Sequence, residues 1–163
     1  MRSDMLFPHS PSRRNTLVGL GTLAILPAFP FLAAEPKAIH IVKVSGCECC
    51  SAWGAILTQA GYSVTVEGRD SDAVDAFRAE NGIPVEVAGC HTALVGGYVV
   101  EGHVPAADID RLLAEGPDVI GLAVPGMPIG SPGMEFDTSR EAFDVLLVRR
   151  DATTTVFSSY DAT

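Results

Sequence analysis

One short stretch decides the predicted fold, and it reads IHIVKVSGCECC from Ile39 to Cys50. Its first half is a run of β-branched apolar residues, which predicts a strand buried on at least one face. Ser45 and Gly46 end that run, and three cysteines then follow within four residues. The stretch therefore predicts a strand whose carboxyl end delivers a cluster of thiols to the start of the next element.

The residues after the cysteines change from strand to helix periodicity. Apolar residues recur at i, i+3, i+4 and i+7, so they share one helical face. They are Trp53, Ile56, Leu57 and Ala60. Gly61 is suited to a left-handed cap, and we expect the helix to end there. The cysteines thus lie at a junction between a strand and a helix.

A second strand and a second helix follow in the same order. Tyr62–Glu67 alternates, with Val64 and Val66 on one side, which is typical of a strand. Ser71 is a candidate N-cap for a short helix that ends at Asn81-Gly82.

A tight hairpin and a third helix complete this pattern. Thr92–Val95 and Tyr98–Glu101 flank Gly96-Gly97, and two glycines permit the positive φ angles that such a turn needs. Pro105 suits the first turn of the third helix, which we expect to close at Gly116-Pro117. Strand, helix, strand, helix, hairpin, helix is the order of a thioredoxin-like domain, an α/β fold with a mixed sheet flanked by helices. The right-handed crossover rule predicts that the first two strands are parallel neighbours.

Two further segments follow this predicted domain order. Val119–Glu135 holds four glycines, three prolines and two methionines, which predicts a long loop. Long loops in compact domains are usually functional or disordered. Phe143–Val148 and Thr153–Phe157 then predict a C-terminal hairpin around Arg150-Asp151.

Residues 1–34 have the pattern of an export signal. Arg13-Arg14 precede a short apolar run from Leu17 to Phe29, and Leu32-Ala33-Ala34 offers small residues for cleavage. The paired arginines favour the twin-arginine route, although a general secretory signal and an uncleaved anchor stay open. The apolar run is shorter than the roughly 20 residues of a bilayer span. We therefore expect a soluble domain at 35–163, without a membrane span, in the periplasm or another extracytoplasmic compartment.

Composition narrows the class of protein further. The chain has 163 residues, 47% of them hydrophobic, and a formal net charge of −9. Such a length and apolar content predict one folded domain rather than a disordered chain. The acidic balance argues against nucleic acid as a partner, because phosphate binding needs a basic surface.

The cysteines form the main chemical signal. Cys47 and Cys50 have C-x-x-C spacing, and Cys49 adds a third sulfur. The free N–H groups at a helix start favour thiolate, which is both a nucleophile and a metal ligand. Cys90-His91 stands just before the hairpin, where a thioredoxin-like domain normally carries a cis-proline facing the C-x-x-C tip. We therefore expect Cys90 and His91 to meet the other cysteines in one pocket.

This donor set favours a soft metal. Thiolate and thioether sulfur select Cu(I), whereas a set of three cysteines and one histidine would also suit tetrahedral Zn²⁺. The excess of sulfur, together with Met127 and Met134 in the long loop, favours Cu(I) over zinc. His103 is a weaker candidate, as a ligand or as a residue that shields the cluster. We interpret His40 as a satisfied or edge histidine and Trp53 as a core residue.

Four blocks of sequence together resemble the prokaryotic family called domain of unknown function 411, whose members are labelled predicted metal-binding proteins. The blocks are Cys47–Cys50, Cys90–Thr92, Glu101–Pro105 and Gly121–Glu135. The resemblance extends from about Ile39 to Phe157, and it implies a thioredoxin-like fold and a soft-metal role, with copper handling favoured. The usual Cys-Gly-Cys-Cys of the family carries Glu48 in place of glycine, which keeps every sulfur but adds a charge and restricts the turn.

The sequence therefore predicts an exported protein that binds Cu(I) for copper handling or resistance, with a copper donor or acceptor protein as a further partner. The predicted ligands are Cys47, Cys49, Cys50, Cys90, His91, His103, Met127 and Met134. No catalytic residue is predicted. One alternative is a thiol–disulfide oxidoreductase that uses Cys47 and Cys50, with Cys90 as the resolving thiol. Another is an interaction module stabilised by a bridge between two cysteines.

Overall fold

The computed structural model describes residues 37–136 and 138–163. The predicted export signal at 1–34 lies outside the described residues, and so does the start of the predicted domain. Within the described ranges, no helix has the length and apolarity that a bilayer crossing requires.

The described residues form a seven-stranded mixed sheet with three α-helices. The strands are β1 (Lys37–Val44), β2 (Tyr62–Arg69), β3 (His91–Val95), β4 (Tyr98–Glu101), β5 (Gly121–Ala123), β6 (Phe143–Val148) and β7 (Thr154–Tyr160). The helices are α1 (Glu48–Gln59), α2 (Ser71–Glu80) and α3 (Ala106–Glu115), with a short 3-10 turn at Val85–Val87. Along the sheet the strands follow the order β2-β1-β3-β4-β5-β6-β7.

The pairing of the strands confirms the predicted thioredoxin-like fold. β1 pairs in parallel with β2, as the crossover rule predicts, and in antiparallel with β3. β3 and β4 form the predicted hairpin, in which Gly96 and Gly97 both adopt positive φ. Because His91 is the first residue of β3 and stands opposite Lys43, the residues just before it lie near the end of β1 where the cysteines begin.

The sheet separates two clusters of buried apolar side chains, because neighbouring residues of a strand point to opposite faces. Val100 and Leu122 belong to the larger cluster, whereas Val99 and Ala123 belong to the smaller one. The larger cluster also contains residues of α1 and α3, namely Trp53, Leu57, Ile109 and Leu112. These two helices therefore pack on one face of the sheet, and this packing holds the first turn of α1 in place.

The edges of several elements differ from the sequence prediction. α1 begins at Glu48, so the cysteines belong to its first turn, and Ala60 is exposed rather than part of the buried face. Asp70, rather than Ser71, caps α2, because its side chain accepts a hydrogen bond from the Ala73 N–H at 2.9 Å. The C-terminal hairpin is confirmed, with its second strand reaching Tyr160.

The predicted long loop Val119–Glu135 contains a strand that the sequence pattern did not reveal. β5 pairs in parallel with β4 and in antiparallel with β6, and so joins the C-terminal hairpin to the sheet. A Cβ atom at Gly121 would lie 1.7 Å from the Val99 carbonyl oxygen, so this close approach requires glycine. The loop proper therefore begins after β5.

Candidate metal centre

Three cysteines lie where β1 leads into α1, at the N-cap and in the first turn of the helix. Gly46 adopts φ +81°, and Cys47 is the extended N-cap residue of α1. Glu48 is exposed in the first helical turn, where a negative charge is favoured by the helix dipole. The glutamate that replaces the family's usual glycine is thus accommodated in ordinary helical backbone.

Four sulfur atoms meet at this turn. The Sγ atoms of Cys47, Cys49, Cys50 and Cys90 all lie within 4.8 Å of one another. The Sγ atoms of Cys50 and Cys90 are 3.3 Å apart, and those of Cys49 and Cys90 are 4.0 Å apart. The predicted approach of Cys90 to the other cysteines is therefore present in the structure.

The cysteines differ in covalent state. Cys47 and Cys50 form a disulfide, while Cys49 and Cys90 are free thiols. Cys49 Sγ is 3.3 Å from Cys47 Sγ. In this oxidised form only two of the four sulfurs can act as thiolate ligands.

Two histidines adjoin the sulfur of Cys90 and form a second possible ligand group with it. His103 Nε2 is 2.9 Å from Cys90 Sγ, and His91 Nδ1 is 3.3 Å from the same atom. The Nδ1–H of His103 donates to the Pro132 carbonyl at 2.7 Å, which leaves the Nε2 lone pair facing the thiol. A histidine whose second ring nitrogen donates to a backbone carbonyl has the arrangement usual for a metal ligand.

Burial governs the protonation of these groups. Desolvation holds the pKa of His91 well below its usual value, with the positive fields of His103 and Arg78 adding to the effect. Desolvation also lowers the pKa of His103. Both imidazoles are therefore neutral at neutral pH and keep a lone pair for coordination. Burial, followed by the neighbouring Cys49, raises the pKa of Cys90 to about 12, so the metal-free Cys90 is a protonated thiol.

His91 is buried in the core as well as adjacent to Cys90. Its ring lies 4.3 Å from that of Trp53, centroid to centroid, and meets the His103 ring edge-on at 5.1 Å. Its Nε2 is a buried polar atom without a hydrogen-bond partner among the described residues. Trp53 is fully buried and donates its Nε1–H to the Val104 carbonyl at 2.8 Å, which confirms it as a core residue.

A buried ion pair holds the peptide that precedes Cys90. Glu101 is fully buried, and its Oε1 accepts from Arg78 Nε and from the Gly89 N–H, each at 2.7 Å. Arg78 also donates to the Gly89 carbonyl at 3.1 Å, and Thr92 donates to Glu101 Oε2 at 2.6 Å. Both polar groups of Gly89 are therefore bound by this pair, which sets the position of Cys90.

Sequence reasoning did not identify Arg78 and Glu101 as part of the site. The available signal was an acidic residue that ends an otherwise apolar hairpin strand. Burial raises the pKa of Glu101, while its three donors and the Arg78 charge oppose that rise. Arg78 and Glu101 therefore position the backbone beside Cys90 and are not themselves metal ligands.

The segment after β5 packs against the cluster. The Pro132 carbonyl binds His103, and a Cβ atom at Gly133 would lie 2.9 Å from the Cys49 carbonyl oxygen and 2.8 Å from the Trp53 nitrogen. This segment therefore packs directly on the first turn of α1. Met134 is buried within it, whereas Met127 is 53% exposed. Coordination by either methionine stays a prediction.

His40 lies within β1 and is not part of either group of possible metal ligands. Its Nε2 is 3.2 Å from Glu67 Oε2 in the pairing of β1 with β2. His40 is therefore a satisfied histidine, as one of the two predicted interpretations has it, and not an edge histidine, because β1 lies between β2 and β3. Of the eight predicted ligands, the structure thus brings together the four cysteines, His91 and His103.

Comparison with known proteins gives two kinds of match. The family model described as "Protein of unknown function, DUF411" matches residues 87–134. Two solved structures, forms 1 and 2 of copper resistance protein CopG, are similar with TM-scores of 0.73 and 0.72. Their sequences are 39% and 40% identical to this chain; the matches cover 78% and 77% of it and 99% of each of those chains. Among curated proteins, none matches the sequence.

Proposed function

The chain belongs to the DUF411 family, and from that premise we propose that it binds Cu(I) outside the cytoplasm and holds or passes it in copper resistance. The residues that would take the metal are Cys47, Cys49, Cys50 and Cys90, with His91 and His103 beside them. Copper is here the cargo of the protein. The similarity to copper resistance protein CopG and the predicted export signal both support this proposal.

One observation carries the proposal, namely that four sulfur atoms from two distant segments lie within 4.8 Å of one another. Such a density of thiols suits a soft ion, because thiolate ligands select Cu(I) over hard divalent ions. The two neutral imidazoles can complete the coordination without adding charge. Zinc remains the competing metal, since three cysteines and one histidine make a tetrahedral zinc site.

The reduced protein is the form that would bind copper. Reduction of the Cys47–Cys50 bridge by an external dithiol takes up two electrons and two protons and restores both thiols. Each thiol that then coordinates the metal must lose its proton, so binding releases protons and weakens as the pH falls. The raised pKa of Cys90 opposes the loss of its proton.

The test is an anaerobic titration of reduced protein with Cu(I) against a chromophoric chelator. We expect near-stoichiometric binding in the wild type and its loss in Cys47→Ser and Cys90→Ser. Ser63→Ala, on the exposed surface of β2, is the matched control and should bind as the wild type does. Weak binding by the wild type, or equal binding by all four proteins, would refute the proposal.

A second function, thiol–disulfide exchange, is favoured by one observation. The free Cys90 thiol lies 3.3 Å from Cys50, which is bonded to Cys47. Attack of a Cys90 thiolate on Cys50 would form a Cys50–Cys90 bond and release Cys47 as a thiolate. The high pKa of Cys90 disfavours this nucleophile, and the described residues contain no cis peptide where redox members of the fold carry their cis-proline.

A disulfide-reduction assay separates the two functions. With a dithiol as electron donor and a protein disulfide as acceptor, we expect turnover close to the uncatalysed rate. Substantial turnover together with weak copper binding would favour thiol–disulfide exchange over Cu(I) binding as the function. Cys90→Ser is informative here too, because an exchange enzyme that needs Cys90 as the resolving thiol would lose its activity in that variant.

A further inference from the structure

Lys43 is a buried lysine without a carboxylate partner. It is 9% exposed, and its Nζ donates to the Cys47 carbonyl at 3.0 Å. In the described part of the chain, no carboxylate oxygen lies within 4.0 Å of this ammonium group. Arg78 is equally buried at 8% exposure, but it pairs with both Glu101 and Asp75. Lys43 therefore differs from the other buried cation in lacking a counter-ion.

The surroundings of Lys43 add positive rather than negative charge. The group lies at the N-terminus of α1, where the helix dipole is positive, because it donates to the carbonyl of the N-cap residue Cys47. A buried charge without an opposite charge costs several kcal/mol. Glu48 is exposed to solvent, whereas the sulfurs of the cluster become negative when they bind a metal, and Lys43 already holds the backbone of Cys47.

We propose that Lys43 is the counter-charge of the metal–thiolate cluster and that it selects for a monovalent metal. This inference rests on the proposed function, because it concerns the metal that the cysteines bind. Lys43 acts in it as a specificity-determining residue and not as a ligand.

The selection follows from the charge of the two competing metals. With the same set of thiolates, a Zn²⁺ complex is one unit more positive than a Cu(I) complex. A fixed ammonium group at the site therefore favours the Cu(I) complex, because it attracts the zinc complex less strongly by one unit charge. At separations of several ångströms and an effective dielectric constant of about 20, one unit charge changes a binding constant about tenfold or more.

The hydrogen bond to Cys47 gives Lys43 a second role, which the test must separate from the first. Lys43→Met removes the charge and the donor while keeping an unbranched side chain. Lys43→Arg keeps the charge, and Lys43→Gln keeps a donor without the charge. Lys37→Met is the matched control, because Lys37 lies on the same strand, is 50% exposed and pairs with Asp110.

The experiment measures Cu(I) and Zn²⁺ affinities of these reduced proteins by chelator competition at one pH. We expect the preference for Cu(I) over Zn²⁺ to fall about tenfold or more in Lys43→Met and Lys43→Gln, and to persist in Lys43→Arg and Lys37→Met. The ratio between Ag(I) and Cu(I), which carry the same charge, should not change.

Three results would overturn the inference. The first is an unchanged ratio of Cu(I) to Zn²⁺ affinity in both neutral variants. The second is a shift of the Ag(I) to Cu(I) ratio as large as that of the Cu(I) to Zn²⁺ ratio, which would exclude charge as the cause. The third is an equal shift in Lys43→Arg. Failure of the proposed function would look different, because the wild type itself would then bind Cu(I) weakly.

Discussion

The Sγ atom of Cys90 lies 3.3 Å from that of Cys50, although 40 positions of sequence separate the two residues. One cysteine follows the N-terminal strand–helix turn and the other precedes the central hairpin. The pairing of β1 with β3 brings those two places together, and the remaining sulfurs and both histidines surround the same point. The fold thus creates a donor set that no single segment of the chain contains.

The imidazole of His103 should contribute directly to copper binding. In His103→Gln we expect Cu(I) affinity to fall about 10–100-fold, because the lone pair facing Cys90 and the link to Pro132 are both lost. Chelator competition measures the affinity, and X-ray absorption of the loaded protein reports loss of imidazole scattering. His40→Gln, on β1 outside the ligand groups, should retain both signals. Equal behaviour of the two variants would remove His103 from the ligand set.

The thiol of Cys90 should be slow to react in the metal-free protein. Its pKa is raised to about 12 from the ordinary 9.0, so its thiolate fraction at neutral pH is about a thousandfold below that of a free cysteine. We expect iodoacetamide to modify Cys90 more than about a hundredfold more slowly than a cysteine in a short peptide, with the rate still rising above pH 10. Mass spectrometry of digested protein gives these rates. Rapid labelling at pH 7 would contradict the assignment of a neutral thiol.

The buried ion pair should stabilise the metal-free fold. Glu101→Gln leaves the buried Arg78 without its fully buried counter-charge, and we expect the free energy of unfolding to fall by about 2–4 kcal/mol. The control is Glu115→Gln, which alters an exposed and longer contact with Arg111 and should cost less than about 1 kcal/mol. Urea denaturation of both variants is the measurement. A similar loss of unfolding free energy in both variants would show that the buried Arg78–Glu101 pair stabilises the fold no more than an exposed pair does.

The glycine that packs on α1 should control access to the cluster. In Gly133→Ala the new methyl group would lie within 2.9 Å of the backbone of Cys49 and Trp53, at a position of φ +86°, so the segment must move away. We expect faster oxidation of the reduced cysteines by dissolved oxygen in this variant. Gly126→Ala is the matched control: it has φ +69° in the same segment but open space around the added methyl group. Equal oxidation rates in the two variants would show that contact with α1 does not shield the thiols.

Periodicity was sufficient for most of the fold, because alternating burial in β1 and the hairpin of β3 and β4 depends on local sequence. It was insufficient for β5, since three residues are too few to show alternation. Gly121 also has low strand propensity. The place of β5 is set by its two neighbouring strands, a tertiary constraint that a single sequence does not display.

The same reasoning explains which site residues were predicted. Cysteine and histidine at a strand–helix junction and before a hairpin carry a recognisable spacing, and the fold order implies that they meet. Arg78 and Glu101 carry no such spacing. A charged residue on a short helix, such as Arg78, or at the end of a strand, such as Glu101, usually faces solvent. Their burial depends on a pairing across 23 positions of sequence that appears only in three dimensions.

The most direct test of the metal centre is a crystal structure of reduced, copper-loaded protein, with diffraction data collected on either side of the copper absorption edge. We expect an anomalous peak between the Cys90 sulfur and the sulfurs of the first turn of α1. Copper bound away from Cys90, or held by nitrogen and oxygen ligands alone, would contradict this expectation.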